Sequence, residues 1–175
     1  MADATKLLAM AAELGGASHW ANTTTVQKDR VLEAAHDVER ESTPATTHRL
    51  HYESYFFLAA TRQLLRVCQT YFAETGDNDL QDALDAFRDA APDAVTFRDW
   101  SEHLDAYFAG TGWMQDGRVD RDATLDFEVQ GDRVILHFDR RTLDLVDTHA
   151  AAQNVAAAAS AAWWHHFRKS PPDQP

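Results

Sequence analysis

The residues with the most chemistry to offer lie in Thr96-Phe97-Arg98-Asp99-Trp100-Ser101-Glu102-His103-Leu104-Asp105-Ala106-Tyr107. Thr96 with Asp99 three residues on is a variant of the capping box, so the stretch reads as the start of a helix. On that helix Asp99, His103 and Tyr107 fall at i, i+4 and i+8 and share a face. Arg98 lies about 140° round the axis from His103 at 3.6 residues per turn, and its long side chain can swing back toward the ring. An imidazole, a carboxylate to orient it, a phenol and a guanidinium are the parts of acid/base chemistry on a phosphate. The same residue types also fit a plainer arrangement. In that arrangement Arg98 and Glu102 form a surface ion pair and His103 is a hydrogen-bonded core histidine.

A helix over His48 to Ala73 would carry the next candidates. Leu50, Phe57, Leu64, Val67 and Tyr71 cluster on one face, with Leu65 and Cys68 at its margin. His48, His51, Tyr55, Arg62 and Arg66 fall within about a third of a turn of each other on the opposite side. That stripe is the clear local basic patch of the chain, although a solvated face would have the same pattern. Glu53 points toward the apolar half, either buried and paired or at an interface. His48, His51 and Glu53 are close in sequence, and His36 and His103 could approach in a bundle, an arrangement that could hold a metal. Glu53 points away from both histidines, and no metal is expected.

Composition narrows the classes. The chain has 175 residues, 45% of them apolar and 25% charged, enough for one domain with a real core. Its formal net charge is −12, which repels nucleic acid at long range. Any nucleic-acid site must then be a local basic pocket. The single cysteine, Cys68, excludes a disulfide framework and fits a cytoplasmic protein. Met1 to Leu14 lacks the pattern of a signal peptide, and Ala150 to Trp164 is apolar but too short to span a membrane. Gly-rich phosphate loops, His-Glu-x-x-His and Gly-x-Ser-x-Gly are absent from the sequence.

The elements that must position the candidates read as mainly α: an antiparallel helical bundle, an appended C-terminal β-hairpin and a final long helix. A first helix over Ala2 to Leu14 is expected to stop at Gly15-Gly16, with Ala17 to Thr25 a loop and Val26 to Arg40 a second helix. Glu41 to Pro44 breaks it. A short helix follows from Asp79 to about Ala90, then the key helix to about Phe108, closed by Gly110. Thr124 to Gln130 and Arg133 to Phe138 alternate around Gly131-Asp132, a hairpin, with a third strand expected near Trp113 to Arg118. The last helix is expected from about Thr142 to Phe167. One domain spans 1–175, divided into a helical core over 26–110, the hairpin region over 111–140, the helix over 141–168 and a tail over 169–175.

The run Arg98-Asp99-Trp100-Ser101-Glu102-His103 resembles the signature of the HEPN superfamily (higher eukaryote and prokaryote nucleotide-binding). In that signature an Arg, often followed by a polar residue, precedes a His with four to six residues between them. Arg30 to His36 also has the spacing, but Val31 follows that Arg. The resemblance covers about Val26 to Gly110 and implies a helical bundle whose motif helices meet across a two-fold axis. It implies a metal-independent endoribonuclease of toxin or defence type, with no cofactor and a cyclic phosphate product. His103 would act as general base or acid on the ribose 2′-hydroxyl, Arg98 would stabilise charge on the phosphate, and Asp99 would orient the ring or bind the other Arg. Arg62, Arg66, Tyr107 and His51 are the expected substrate-binding residues. The implied partners are a second copy, RNA, and a cognate antitoxin or regulatory protein. Some members carry a Tyr two residues past the His; here that position is Asp105, and Tyr107 comes two later. A non-catalytic HEPN-like interaction domain and an unrelated helical bundle remain the other readings of the same residues.

Overall fold

In the computed structural model the backbone is described for residues 4–97 and 125–169, and side chains for 15–97 and 125–165. The architecture is mainly α, as the sequence predicts. Helix α1 (Ala4–Arg40) and helix α2 (Pro44–Thr75) pack along each other, followed by α3 (Asn78–Ala90). A three-stranded antiparallel sheet of order β1 (Leu125–Gln130), β2 (Arg133–Phe138) and β3 (Arg141–Asp144) comes next. Helix α4 (Leu145–Lys169) follows and packs on α1, α2 and α3.

Gly15-Gly16 does not end a helix, and Ala17 to Thr25 is not a loop: α1 runs through both. Tertiary packing overrides local propensity here. Ala17, Ala21 and Thr24 are buried, and Gly16 faces Val67 of α2, where an added Cβ would make ordinary contact at 3.6 Å. The polar side chains of this segment also bond within the helix, Thr24 Oγ1 donating to the Ala21 carbonyl at 2.8 Å. The boundary expected at Val26 therefore falls inside α1.

Helix α2 starts four residues before the expected His48. Thr43 is its N-cap and forms a reciprocal capping box with Thr46, and Pro44 occupies the first turn, where a missing N–H costs nothing. Gly76, at φ +63°, closes it with its N–H donated to the Phe72 carbonyl at 2.7 Å. The inner face is as the periodicity predicts: Leu50, Phe57, Leu64, Leu65, Cys68 and Tyr71 are buried, and Val67 is half-buried beside Gly16. Burial pushes the Cys68 thiol up to about 12, which makes it an inert core group.

The hairpin pairs Leu125 with Phe138 and Gln130 with Arg133. Gly131 has φ +59° at the first central turn position, the pattern of a II′ turn. The sheet exceeds a hairpin, because Arg141–Asp144, expected as the start of the last helix, is its third strand. It pairs with β2 and buries Leu143, while Arg141 reaches out of the strand to Asp93 at 2.8 Å and Thr96 at 3.2 Å. Asp144 then caps α4, its Oδ1 accepting from the N–H groups of Val146 at 2.8 Å and Asp147 at 3.0 Å. A strand at Trp113 to Arg118 lies outside the described residues.

Candidate functional site

Arg98, Asp99, His103 and Tyr107 lie outside the described residues. The turn that leads into them does not. Residues 94–97 are helical, the N–H of Phe97 bonding the Asp93 carbonyl at 2.9 Å. Thr96 is therefore inside the first turn rather than at its N-cap. Its hydroxyl is an acceptor for Arg141. Phe97 is fully buried and meets Phe138 of β2 edge-on, with ring centroids 6.3 Å apart. The sheet thus clamps this turn by an arginine from β3 and an aromatic ring from β2. That gives the β segment a positioning role that sequence periodicity does not reveal.

Helix α2 supplies the other wall. Leu58, Thr61, Arg62 and Leu65 line a shallow cleft with Ala94 and Val95 of the helical turn. Its floor is apolar and buried, except for the Thr61 hydroxyl, which has no hydrogen-bond partner among the described residues. Val95, at 42% exposure, and the half-buried Arg62 lie at its edge. Among the described residues neither Arg62 nor Arg66 makes an ion pair. Arg49 differs: it is engaged by Glu33 at 2.9 Å and by Asp37.

The remaining predicted residues divide. His51 is half-buried against Phe127, with ring centroids 4.4 Å apart. Burial, then the charge of His48, holds its pKa below the ordinary value, with Asp126 partly offsetting them. His48 and Arg66 are exposed, and Tyr55 packs on Phe56 at 5.4 Å. Glu53 is half-buried but not paired: its Oε2 is buried with no hydrogen-bond partner among the described residues. His36 of the competing Arg30–His36 match is drawn to Asp132 of the β-turn at 3.7 Å. Among the described residues no group of three or more His, Cys, Asp or Glu side chains is placed to hold a metal.

Sequence reasoning missed Tyr52 and Phe56. They are 66% and 50% exposed, although large aromatics usually lie inside. The signal was partial: at 3.6 residues per turn Tyr52 falls about 40° from His48 and Arg66, while Phe56 falls about 80° from them, at the margin of the apolar face beside Val67.

The fold is that of a helical bundle with a small clamping sheet. No family model matches the chain, and neither a curated protein nor a solved structure matches it. Among the described residues no helix is long and apolar enough to cross a membrane.

Proposed function

We propose that the chain is a HEPN-like, metal-independent endoribonuclease acting as a homodimer, with Arg98 and His103 as the reacting pair. The observation that carries this reading is the clamped turn at 94–97. Its Ala94 and Val95 share a cleft with Arg62, a guanidinium with no partner among the described residues, and Arg98 follows one residue after the turn in the sequence. In a chain of net charge −12, a cation left unpaired at a cleft supports an anionic ligand there. His103 would take the proton of the 2′-hydroxyl and return one to the leaving 5′-oxygen, directly or through its dimer mate. Arg98 would hold the phosphate as charge develops on it, and Asp99 would orient the imidazole. The balanced products are a 2′,3′-cyclic phosphate and a 5′-hydroxyl.

The test is RNA cleavage by purified wild type, His103→Ala and Arg98→Ala in the presence of a chelator, with end-group analysis. Wild type should cleave and leave cyclic phosphate ends. Both variants should fail while keeping the wild-type circular dichroism and dimer mass in light scattering. His36→Ala should still cleave. If chelation stops the reaction, or wild type is a monomer at micromolar concentration, the mechanism is wrong. A folded dimer that never cleaves leaves the non-catalytic HEPN-like interaction domain, with a regulatory or antitoxin-like protein as its partner.

A further inference from the structure

The outer face of α2 differs in kind from the rest of this acidic chain. From His48 to Ala73 the sequence contains one acidic residue, Glu53, against 28 in the whole chain. That one carboxylate is half-buried, its Oε2 fully so. Tyr52, Tyr55, Phe56, Ala59, Arg62, Gln63 and Arg66 recur at three- and four-residue spacing along the face. None of them is fully buried. Aromatic rings occupy its first half and unpaired guanidinium groups its second. From Tyr52 to Arg66 the stripe is about 21 Å long at 1.5 Å per residue. At the Arg62 level it meets Val95 of the turn that leads into Arg98.

We propose that this face is a platform for single-stranded RNA, on which Tyr52 and Phe56 stack bases while Arg62 and Arg66 hold phosphates and feed the strand toward the 94–97 turn. The proposal deepens, and rests on, the reading of the chain as an RNA-handling domain. Exposed rings and their spacing favour a single strand, and the charge of the face admits a polyanion. Exposed rings are stacking surfaces for unpaired bases, which a duplex keeps inside its helix. Tyr52 and Phe56 are one turn apart, about 6 Å along the axis, so each can meet a separate base. The α2 residues of the face expose no carboxylate, Asp126 beside His51 being the acid near its first end, so a polyanion is repelled less here than by an acid-rich surface.

The experiment measures binding of short 2′-O-methyl oligouridine, which cannot be cleaved through a 2′-hydroxyl, to the full-length wild-type chain. Duplex RNA of the same length and a polyglutamate peptide are the comparison ligands. The oligouridine should bind best, with a salt slope of about −1.4 in log K against log salt for two phosphate contacts per protomer. Tyr52→Ala with Phe56→Ala should weaken binding about tenfold or more and leave that slope unchanged. Arg62→Gln should reduce the slope by about 0.7. Equal affinity for the duplex, or an oligouridine affinity indifferent to both aromatic substitutions, overturns the proposal. So does stronger binding of polyglutamate, which would assign the face to an acidic protein. Should the aromatic double variant unfold, the Arg62→Gln slope and the duplex comparison still decide. Binding as described without cleavage of ordinary RNA would sink the nuclease reading and leave the platform standing. Cleavage with KM indifferent to Tyr52 and Phe56 would do the reverse.

Discussion

Two regions of this molecule treat their hydrogen-bonding groups in opposite ways. In the seam between α1 and α4, Gln153 Nε2 lies 3.0 Å from the Ala21 carbonyl and from Thr24 Oγ1, and 3.3 Å from Thr25 Oγ1. Thr25 Oγ1 is in turn 3.1 Å from His149 Nε2. These groups are half-buried or buried, and their hydrogen bonds join two helices. On the outer face of α2, Arg62 and Arg66 have no ion-pair partner among the described residues, and Tyr52 and Phe56 face solvent. Leaving a buried polar group unpaired costs about 1–3 kcal/mol, and the seam's groups are paired within the fold. Exposed groups carry no such cost. Guanidinium groups that stay unpaired beside exposed aromatic rings are therefore better explained by a ligand than by stability.

The largest expected effect fixes the baseline for that contrast. Leu64→Ala, on the buried face of α2, should destabilise by about 2–5 kcal/mol in urea unfolding. A loss below about 0.5 kcal/mol would mean that the inner and outer faces of α2 are wrongly divided. Next comes the seam. Gln153→Ala should lower stability by about 1–3 kcal/mol, since it removes the donor that joins α4 to the Ala21 carbonyl and Thr24. A neutral result would show that the seam holds by its alanines alone.

Acid should also find the seam. Burial, reinforced by the Lys28 charge and partly offset by Asp29, holds the His149 pKa below the ordinary 6.5. His51 is lowered as well, by its burial and by His48. The unfolded chain then takes up these protons at a higher pH than the folded one. Stability from this source is complete above about 6.5 and is lost as pH falls below it, through the folded values. Melting temperature should drop across that window, and the drop should shrink in His149→Gln. An unchanged drop in that variant would place the acid sensitivity elsewhere. The smallest expected effect is on the outer face: Arg66→Gln should change stability by no more than about 0.5 kcal/mol while weakening RNA binding. A large stability loss there would erase the difference between the two regions.

Much of this was legible in the sequence because periodicity reports burial. The inner face of α2 and the register of β1 on β2 follow from spacings of 3.6 and 2. What periodicity cannot report is which long-range partner overrides a local signal. Gly15-Gly16 reads as a stop until Val67 is seen against Gly16. Arg141 to Asp144 reads as helix until Arg141 is seen to reach Asp93, 48 residues earlier. The candidate pair Arg98 and His103 rests on motif spacing alone. The clamp on the 94–97 turn, Phe97 on Phe138 with Arg141 on Thr96, is tertiary and had no signature in the sequence. Tyr52 and Phe56 were readable but resembled ordinary core aromatics.

The contrast between seam and stripe is tested most directly by amide and side-chain NMR of the full-length protein titrated with 2′-O-methyl oligouridine. The expected result is that shifts concentrate on Tyr52, Tyr55, Phe56, Arg62 and Arg66, while Thr25, His149 and Gln153 stay in place. Shifts confined to the α1–α4 seam, or no shifts at low salt, would contradict the assignment of the α2 outer face to RNA.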